Sequence, residues 1–228
     1  MVSTIHMIPN LKNILILIHI RHDIPILSKD GSYYSMVVEI PKMTKAKMEV
    51  ATKEIKNPIA QDIKNGNLRE YHGPIYWNYG CIPQTWEDPN EEHLDLKCIG
   101  DDDPIDIVEI GSKKLGIGSV VEVKVLGMLA MIDDGEVDWK ALAIIKDDPL
   151  ASSYNDIDDV PDYVKSGVRE FFRWYKTPDG SPLNWFGYDE KYLNATEAKK
   201  VIQETHEAWK KLRNCTSDAG KLWIGQKC

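Results

Sequence analysis

The chain has 228 residues, of which 43% are hydrophobic and 28% charged, so it can bury a core and is not typical of a disordered protein. Its net charge of −8 argues against a nucleic-acid-binding protein, because such proteins need a basic face for phosphate contacts. Four cysteines lie far apart without a Cys-x-x-Cys pair. This spacing indicates neither a zinc site nor a disulfide framework, and it favours a reducing, cytoplasmic compartment.

The first predicted element is the apolar run ILILIHI at 14–20. It is too short to span a bilayer and has no small-residue cleavage site, so we expect neither a membrane segment nor a signal peptide. We interpret residues 1–21 as an N-terminal extension. Residues 22–228 are predicted to form a single domain, because no repeat, low-complexity tract or flexible linker interrupts them.

Four β-branched segments then predict strands, at 34–40, 104–110, 119–131 and 137–145. The third carries the clearest period-two pattern, because valines alternate there with Glu122 and Lys124. Since turn residues separate the segments, we expect a β core.

Two helices are predicted after the strands. The first begins near Pro161 and ends at the turn 177–180. The second begins at Thr196. Each helix has an apolar stripe at helical spacing, which we interpret as a packing face rather than a cofactor site. The stripes consist of Val164, Val168, Phe171 and Tyr175 in the first helix, and of Ala198, Val201, Ile202, Thr205, Trp209 and Leu212 in the second.

Four aspartates within six residues, Asp101, Asp102, Asp103 and Asp106, form the most informative stretch. Such a cluster is costly unless cations neutralise it, because adjacent like charges repel. An acidic surface loop is the alternative reading. However, Pro104 fixes the backbone after the cluster, and Asp106 interrupts an apolar strand, so we favour a cation-binding role.

A second acidic cluster lies at 133–138, where Asp138 and Lys140 would project from one face of a strand. Lys47 and Glu49 repeat that spacing. Plain ion pairs are the alternative reading. Magnesium prefers carboxylates and water, whereas phosphate prefers basic and hydroxyl donors. The chain has such donors at Arg69, Tyr79, Lys140, Tyr175 and Lys176, so the residues alone indicate metal and phosphate chemistry without specifying a reaction.

Several segments together resemble the family I soluble inorganic pyrophosphatases of the eukaryotic type, over about His22 to Leu212. The segments are HDIP at 22–25, MVVEIPK at 36–42, AKME at 46–49, NPIAQD at 57–62, NYG at 78–80, PQTWEDPN at 83–90, GDDDPIDIVEIG at 100–111, KVLGMLAMIDDGEVDWKALAI at 124–144, DDPLASSYNDIDDV at 147–160 and RWYKTPDG at 173–180. The two acidic motifs, one after the other, are the most specific part of this resemblance.

The resemblance implies a mainly β fold with flanking α-helices, namely a closed five-stranded OB-like β-barrel with C-terminal helices packed outside. It implies an enzyme, an inorganic diphosphatase that hydrolyses pyrophosphate to two phosphates by direct in-line attack of metal-bound hydroxide. It further implies several Mg²⁺ ions per site, a homodimer and a cytoplasmic location. No nucleic-acid or membrane partner is expected.

Carried over position by position, the resemblance also implies the site residues. The metal ligands would be Asp101, Asp106, Asp138, Asp133 and Glu49. Asp103 would take a proton from the attacking water. The groups that hold the phosphates would be Lys47, Arg69, Tyr79, Lys140, Tyr175 and Lys176. Glu39 would be a carboxylate of the same cavity.

The chain departs from the family pattern at 70–78, which looks shortened. We expect this to remove part of a strand beside the site and to displace a tyrosine, for which Tyr76 is the candidate replacement. The alternative function is therefore a catalytically impaired binding or scaffold protein with the same fold. Lys42-Met43 stands where the family has Arg-Trp, in a region that the resemblance assigns to the dimer contact.

Overall fold

The computed structural model describes residues 19–227. Most of the predicted extension 1–21, including positions 14–18 of the apolar run, lies outside the described residues. In chain order the strands are β1 (Tyr34–Ile40), β2 (Thr44–Ala46), β3 (Met48–Val50), β4 (Ile59–Gln61), β5 (Ile63–Lys64), β6 (Asn67–Leu68), β7 (Glu70–Ile75), β8 (Asn78–Cys81), β9 (Ile99–Gly100), β10 (Asp106–Glu109), β11 (Val120–Asp133), β12 (Glu136–Ile145), β13 (Trp185–Phe186) and β14 (Leu193–Asn194). The helices are α1 (Asp162–Trp174) and α2 (Ala195–Arg213), with short 3-10 turns at Ile157–Asp159, Thr177–Asp179 and Tyr188–Glu190.

The main sheet is organised by five strands that pair in the order β11, β1, β8, β10 and β12, with β12 pairing back to β11. Neighbours are antiparallel except β10 and β12, which run parallel. The short strands β9, β13 and β14 extend this sheet by pairing with β12 or β11. Residues on neighbouring strands of this ring can therefore converge on one side of the sheet.

The long hairpin of β11 and β12 turns at Asp134-Gly135, where φ is 51° and 92°. A two-residue hairpin connection with positive φ at both positions is favoured by Asp-Gly, because its twist matches that of the strands. The turn places Asp133 opposite Glu136. Both acidic residues thus lie at one end of the hairpin, and Asp133 lines the cavity described below.

The two faces of the sheet are covered by different helices. Helix α2 packs Val201 and Ile202 into one apolar cluster, whereas α1 packs Val168 and Phe172 into another. The start of α2 is fixed by Asn194, whose side chain accepts a hydrogen bond from Glu197 N at 2.9 Å, while Glu197 Oε2 accepts one from Asn194 N at 3.0 Å. None of the helices in residues 19–227 combines the length and apolarity that crossing a bilayer requires.

The sequence correctly predicted the main elements. All four predicted strands are found, as β1, β10, β11 and β12, and both helices begin within one residue of their expected starts. The fold is thus mainly β with C-terminal helices. The expectation that the cysteines form no disulfide was wrong at Cys215, which is disulfide-bonded, whereas Cys81 and Cys98 are free.

Candidate active site

A cavity of ≈ 170 Å³ opens among the ends of the central strands. All thirteen candidate site residues named from the sequence line it, although they come from separate parts of the chain. They are Glu39, Lys47, Glu49, Arg69, Tyr79, Asp101, Asp103, Asp106, Asp133, Asp138, Lys140, Tyr175 and Lys176. The fold therefore brings the acidic and the basic groups to one place.

Strand register explains part of this convergence. Asp106 on β10 lies in register with Lys140 on the parallel strand β12 and with Cys81 on β8. The close approach of β8 to β1 depends on Gly80, because a Cβ atom there would lie 1.9 Å from the carbonyl oxygen of Val37. The absence of a side chain at Gly80 thus lets the strands bearing Glu39 and Tyr79 pack together.

Lys140 is the central cation of the cavity and is only 2% exposed. Its Nζ atom lies 2.5 Å from Asp138 Oδ1 and 3.0 Å from the hydroxyl oxygen of Tyr79, and it also contacts Asp106. Burial alone would lower the pKa of Lys140, but Asp106 and Asp138 outweigh it and raise that pKa well above its ordinary value. The lysine is therefore held charged between two carboxylates.

The other cations of the cavity are also paired with acids. Lys47 Nζ lies 2.5 Å from Glu49 Oε2, and Lys176 Nζ contacts Asp133. Arg69 Nη1 lies 2.5 Å from Asp62 Oδ2, which accepts a longer bond of 3.5 Å from Lys47. Asp62 was not among the predicted site residues. The only indication in the sequence that Asp62 belongs to the site was its place within the segment NPIAQD. Its separation from Arg69 matches no helix or strand periodicity that would predict a contact.

Three carboxylates in the described part of the chain lie close enough to share a cation. One oxygen each of Glu87, Asp101 and Asp138 lies within 4.8 Å of the others. Burial raises the pKa of Asp138 to about 7, against the opposing charge of Lys140, and burial likewise raises the pKa of Asp101 and of Glu87. An added cation would favour the ionised forms of these groups, so the cluster could hold a metal ion. Glu87 was missed because it lies outside both acidic motifs, in the segment PQTWEDPN, whose spacing indicates no metal site.

Asp103 lies on the same acidic loop and accepts a hydrogen bond of 3.3 Å from the hydroxyl of Thr52. Burial raises the pKa of Asp103 to about 6, although the charge of Arg21 acts in the opposite direction. The carboxyl group is therefore mostly ionised at neutral pH while remaining a competent proton acceptor.

The shortened stretch at 70–78 still forms strands. β7 pairs with β2 and β8 pairs with β1, and two residues connect β7 to β8. The loss of part of a strand relative to the family stays a prediction. The expectation for Tyr76 was wrong, because its side chain is 57% exposed. Tyr71 lines the cavity instead and is 7% exposed. Sequence spacing gave no reason to choose Tyr71, which lies within β7, whereas Tyr76 follows the end of that strand.

Comparison with known proteins agrees with this geometry. The family model described as inorganic pyrophosphatase matches residues 36–210. The chain is 50% identical over 205 residues to soluble inorganic pyrophosphatase 6, chloroplastic, of Arabidopsis thaliana, covering 88% of this chain and 68% of that protein. It is 51% identical over 201 residues to the inorganic pyrophosphatase of Homo sapiens, covering 84% and 68%.

Solved structures are similar as well. The inorganic pyrophosphatase of Schistosoma japonicum superposes with a TM-score of 0.86 at 44% identity, covering 89% of this chain and 75% of that chain. A truncated vacuolar soluble pyrophosphatase of Trypanosoma cruzi, solved in complex with PPi, gives a TM-score of 0.84 at 42% identity, covering 86% and 80%. With the family match over most of the described residues, these similarities show that the chain belongs to the inorganic pyrophosphatase family.

Proposed function

We propose that this chain hydrolyses inorganic pyrophosphate to two phosphates with the help of magnesium ions. The observation that carries the proposal is the convergence of carboxylates and basic side chains on one cavity. Hydrolysis of a phosphoric anhydride needs both, because the substrate is a polyanion and its metal ions are cations. The T. cruzi relative solved in complex with PPi supports the choice of substrate.

The donor set fits magnesium better than a softer metal. The clustered ligand atoms are carboxylate oxygens of Glu87, Asp101 and Asp138, without histidine or thiolate. Hard cations such as Mg²⁺ favour oxygen ligands. Bound magnesium would lower the pKa of a water molecule and offset the charge of pyrophosphate. We assign Asp101, Asp106, Asp138, Asp133 and Glu49 as its ligands, with Glu87 adjacent to them.

The basic side chains would exchange partners when substrate binds. Lys47, Lys140 and Lys176 are each paired with a carboxylate that we assign to metal. When that carboxylate turns to a cation, the lysine is released to hold a phosphate oxygen. Arg69, Tyr79 and Tyr175 would donate further hydrogen bonds to the phosphates, and Glu39 would complete the cavity wall. The ion pairs thus offset part of the negative charge of the cavity until its ligands enter.

Asp103 is the proposed proton acceptor for the attacking water. It has a hydrogen bond from Thr52 but no lysine or arginine within ion-pairing distance among the described residues. Its carboxylate is therefore available to accept a proton during in-line attack on the anhydride. No covalent intermediate is required, since water can attack the phosphorus atom directly.

The decisive experiment measures phosphate release from pyrophosphate with and without Mg²⁺, for the wild type and Asp103→Asn. We expect magnesium-dependent release that falls by at least about 100-fold in the variant, the usual scale for losing a general base. Asp134→Asn is the matched control, because Asp134 lies at the nearby hairpin turn and does not line the cavity. Absence of release from folded wild-type protein would contradict the proposal and favour a scaffold protein.

The finer architecture forms part of the same proposal. The ring of pairings from β11 through β12 and back supports a closed, five-stranded OB-like barrel.

We propose a homodimer that uses the neighbouring exposed side chains of Met43 and Tyr76, which are 56% and 57% exposed. Sedimentation equilibrium would test the dimer. We also propose a cytoplasmic location, which cell fractionation would test against the chloroplastic and mitochondrial names of some relatives.

A further inference from the structure

Thr52 is a buried threonine beside the cavity that the proposed mechanism does not use. It lies in the loop between β3 and β4 and is 7% exposed. Its hydroxyl donates a hydrogen bond of 3.3 Å to Oδ1 of Asp103. Asp103 lines the cavity, whereas Thr52 does not. The hydroxyl therefore contacts the proposed proton acceptor from the surrounding protein.

The orientation of the Asp103 carboxylate depends on this contact. Within residues 19–227, the hydroxyl of Thr52 is the only hydrogen-bond donor to either carboxylate oxygen of Asp103. The terminal torsion of an aspartate has only broad preferences, so covalent geometry alone does not fix the plane of its carboxylate. The bond to Oδ1 restricts that torsion and leaves Oδ2 available to accept a proton.

The backbone of Thr52 is held by two donors. Its carbonyl oxygen accepts a hydrogen bond of 2.9 Å from the backbone N of Trp223 and another of 2.9 Å from Nδ2 of Asn57. Asn57 is 0% exposed and also donates to the carbonyl oxygen of Trp223, at 3.3 Å. These contacts join the loop after β3 to the C-terminal segment, and they limit the movement of Thr52.

The C-terminal segment is anchored in turn. Leu222 and Ile224, on either side of Trp223, belong to one apolar cluster with Trp86. The indole of Trp86 donates a hydrogen bond of 3.0 Å to Asp102, which precedes the proposed proton acceptor in the chain. The same cluster therefore supports the segment 101–103 through Trp86 and the loop after β3 through Trp223.

We propose that Thr52 is a positioning residue that orients the carboxylate of Asp103 to accept a proton from the attacking water. This inference rests on the proposed function, because it requires Asp103 to be the proton acceptor. The hydroxyl of Thr52 donates to Oδ1 and does not touch substrate. The alternative is that Thr52 only fills space beside the cavity, in which case its hydroxyl is dispensable.

The test compares Thr52→Val with Thr52→Ser in steady-state hydrolysis of pyrophosphate at saturating Mg²⁺. Valine keeps the shape of threonine without the hydroxyl, whereas serine keeps the hydroxyl. In Thr52→Val we expect kcat to fall about tenfold, the effect of losing one hydrogen bond to a charged group. We expect KM to change less than about twofold, because the bond serves the chemical step, and Thr52→Ser to retain at least about half of the wild-type kcat. A wild-type kcat in Thr52→Val, or an equal loss in Thr52→Ser, would overturn the proposal.

A double-mutant cycle separates positioning from packing. If Thr52 acts through Asp103, the loss of kcat caused by Thr52→Val should disappear in an Asp103→Asn background, because no proton acceptor remains to be oriented. An undiminished loss in that background would contradict the inference.

Thr205→Val is the matched control. Thr205 is 9% exposed, and its hydroxyl donates to the carbonyl oxygen of Val201 at 3.1 Å, within α2. Its loss should leave kcat unchanged. A comparable fall in kcat would count against the proposal, since it would show a general effect of removing a buried hydroxyl.

A crystal structure of Thr52→Val gives a readout that requires no turnover. We expect the Asp103 carboxylate to shift by about 1 Å or to occupy two orientations, an error large enough to impair a reacting group. A carboxylate that keeps its single orientation would refute the role of Thr52. Thr52→Ala, which also lacks the hydroxyl, takes the same measurements if Thr52→Val does not fold. If the wild type does not hydrolyse pyrophosphate, the proposed function fails, whereas the structural comparison still decides whether Thr52 orients Asp103.

Discussion

Lys140 and Asp138 project from the same face of β12, with Nζ of the lysine 2.5 Å from Oδ1 of the aspartate. The same lysine contacts Asp106 on the parallel neighbour β10. One buried cation therefore bridges two carboxylates from two strands. Lysines offset part of the negative charge of the cavity while no metal is bound. Each of these ion pairs also includes a carboxylate that a divalent cation could coordinate.

The first prediction concerns this buried pair. Lys140→Met should lower the free energy of unfolding in EDTA by about 3–5 kcal/mol, because it leaves two carboxylates without their partner. Urea unfolding followed by fluorescence measures the change. Lys146→Met is the control: it removes an exposed pair with Glu122, which solvent screens, and should leave the unfolding free energy nearly unchanged. Equal losses in both variants would contradict the central role of Lys140.

The second prediction concerns the approach of β8 to β1. Gly80→Ala should lower the free energy of unfolding by about 3 kcal/mol or more, since the added Cβ meets the Val37 carbonyl oxygen at 1.9 Å and backbone must move. Gly73→Ala in β7 is the control, because a Cβ there meets nothing within 4 Å. Chemical denaturation of both proteins decides the point, and a stable Gly80→Ala protein would show that the strands can separate without cost.

The third prediction is a pH dependence caused by His22. Burial, followed by the charge of Arg21, lowers the pKa of His22 to about 4 from its ordinary value of 6.5. The indole of Trp209 donates to Nδ1 at 2.9 Å, so the neutral ring carries its proton on Nε2 and donates to the Trp223 carbonyl oxygen. Above pH 6.5 the histidine is neutral in both the folded and the unfolded chain, and it contributes no pH dependence.

As the pH falls from 6.5 to 4, His22 becomes protonated in the unfolded chain but stays neutral in the folded protein. The free energy of unfolding therefore decreases, by at most about 3 kcal/mol. Unfolding free energies at pH 7 and pH 4.5 should therefore differ by about 2 kcal/mol more in the wild type than in His22→Gln. The comparison between the two proteins removes the contribution of the other titrating groups. The same pH dependence in both would refute the role of His22.

The fourth prediction distinguishes the two tyrosines of the shortened segment. Burial raises the pKa of Tyr71 to about 12, so its hydroxyl remains a hydrogen-bond donor at neutral pH. Tyr71→Phe should lower kcat/KM for pyrophosphate about tenfold, the effect of losing one hydrogen bond to a charged group. Tyr76→Phe should have no effect, because Tyr76 faces solvent. Initial rates at fixed Mg²⁺ measure both, and an effect confined to Tyr76→Phe would reverse the assignment.

The sequence predicted the longest elements well because their patterns are local. The alternation around Val123 and the stripe around Ile202 each report one face of one element, and β11 and α2 were found where expected. The short strands between residues 44 and 100 were not predicted. Strands such as β7, which contains Gly73 and Pro74, have little preference of their own and form because a neighbour pairs with them.

The candidate site was predicted residue by residue from the family motifs, and all of those residues line one cavity. The groups that support them were not predicted. Asp62 and Glu87 have ordinary surroundings in the sequence. The contacts of Asp62 with Arg69 and Lys47, and the approach of Glu87 to Asp101 and Asp138, depend on the fold. Spacing along the chain likewise did not indicate that Tyr71, rather than Tyr76, lines the cavity.

By itself, then, the sequence determined the family, the mainly β class and the candidate acids and bases of the site. Motifs and periodicity depend only on residues that are close together in the sequence. Only the tertiary structure decided which lysine pairs with which carboxylate and which tyrosine lines the cavity. These features depend on strand register and burial. Electrostatic interaction acts through space, and the distance between two charges is set by the fold rather than by their separation along the chain.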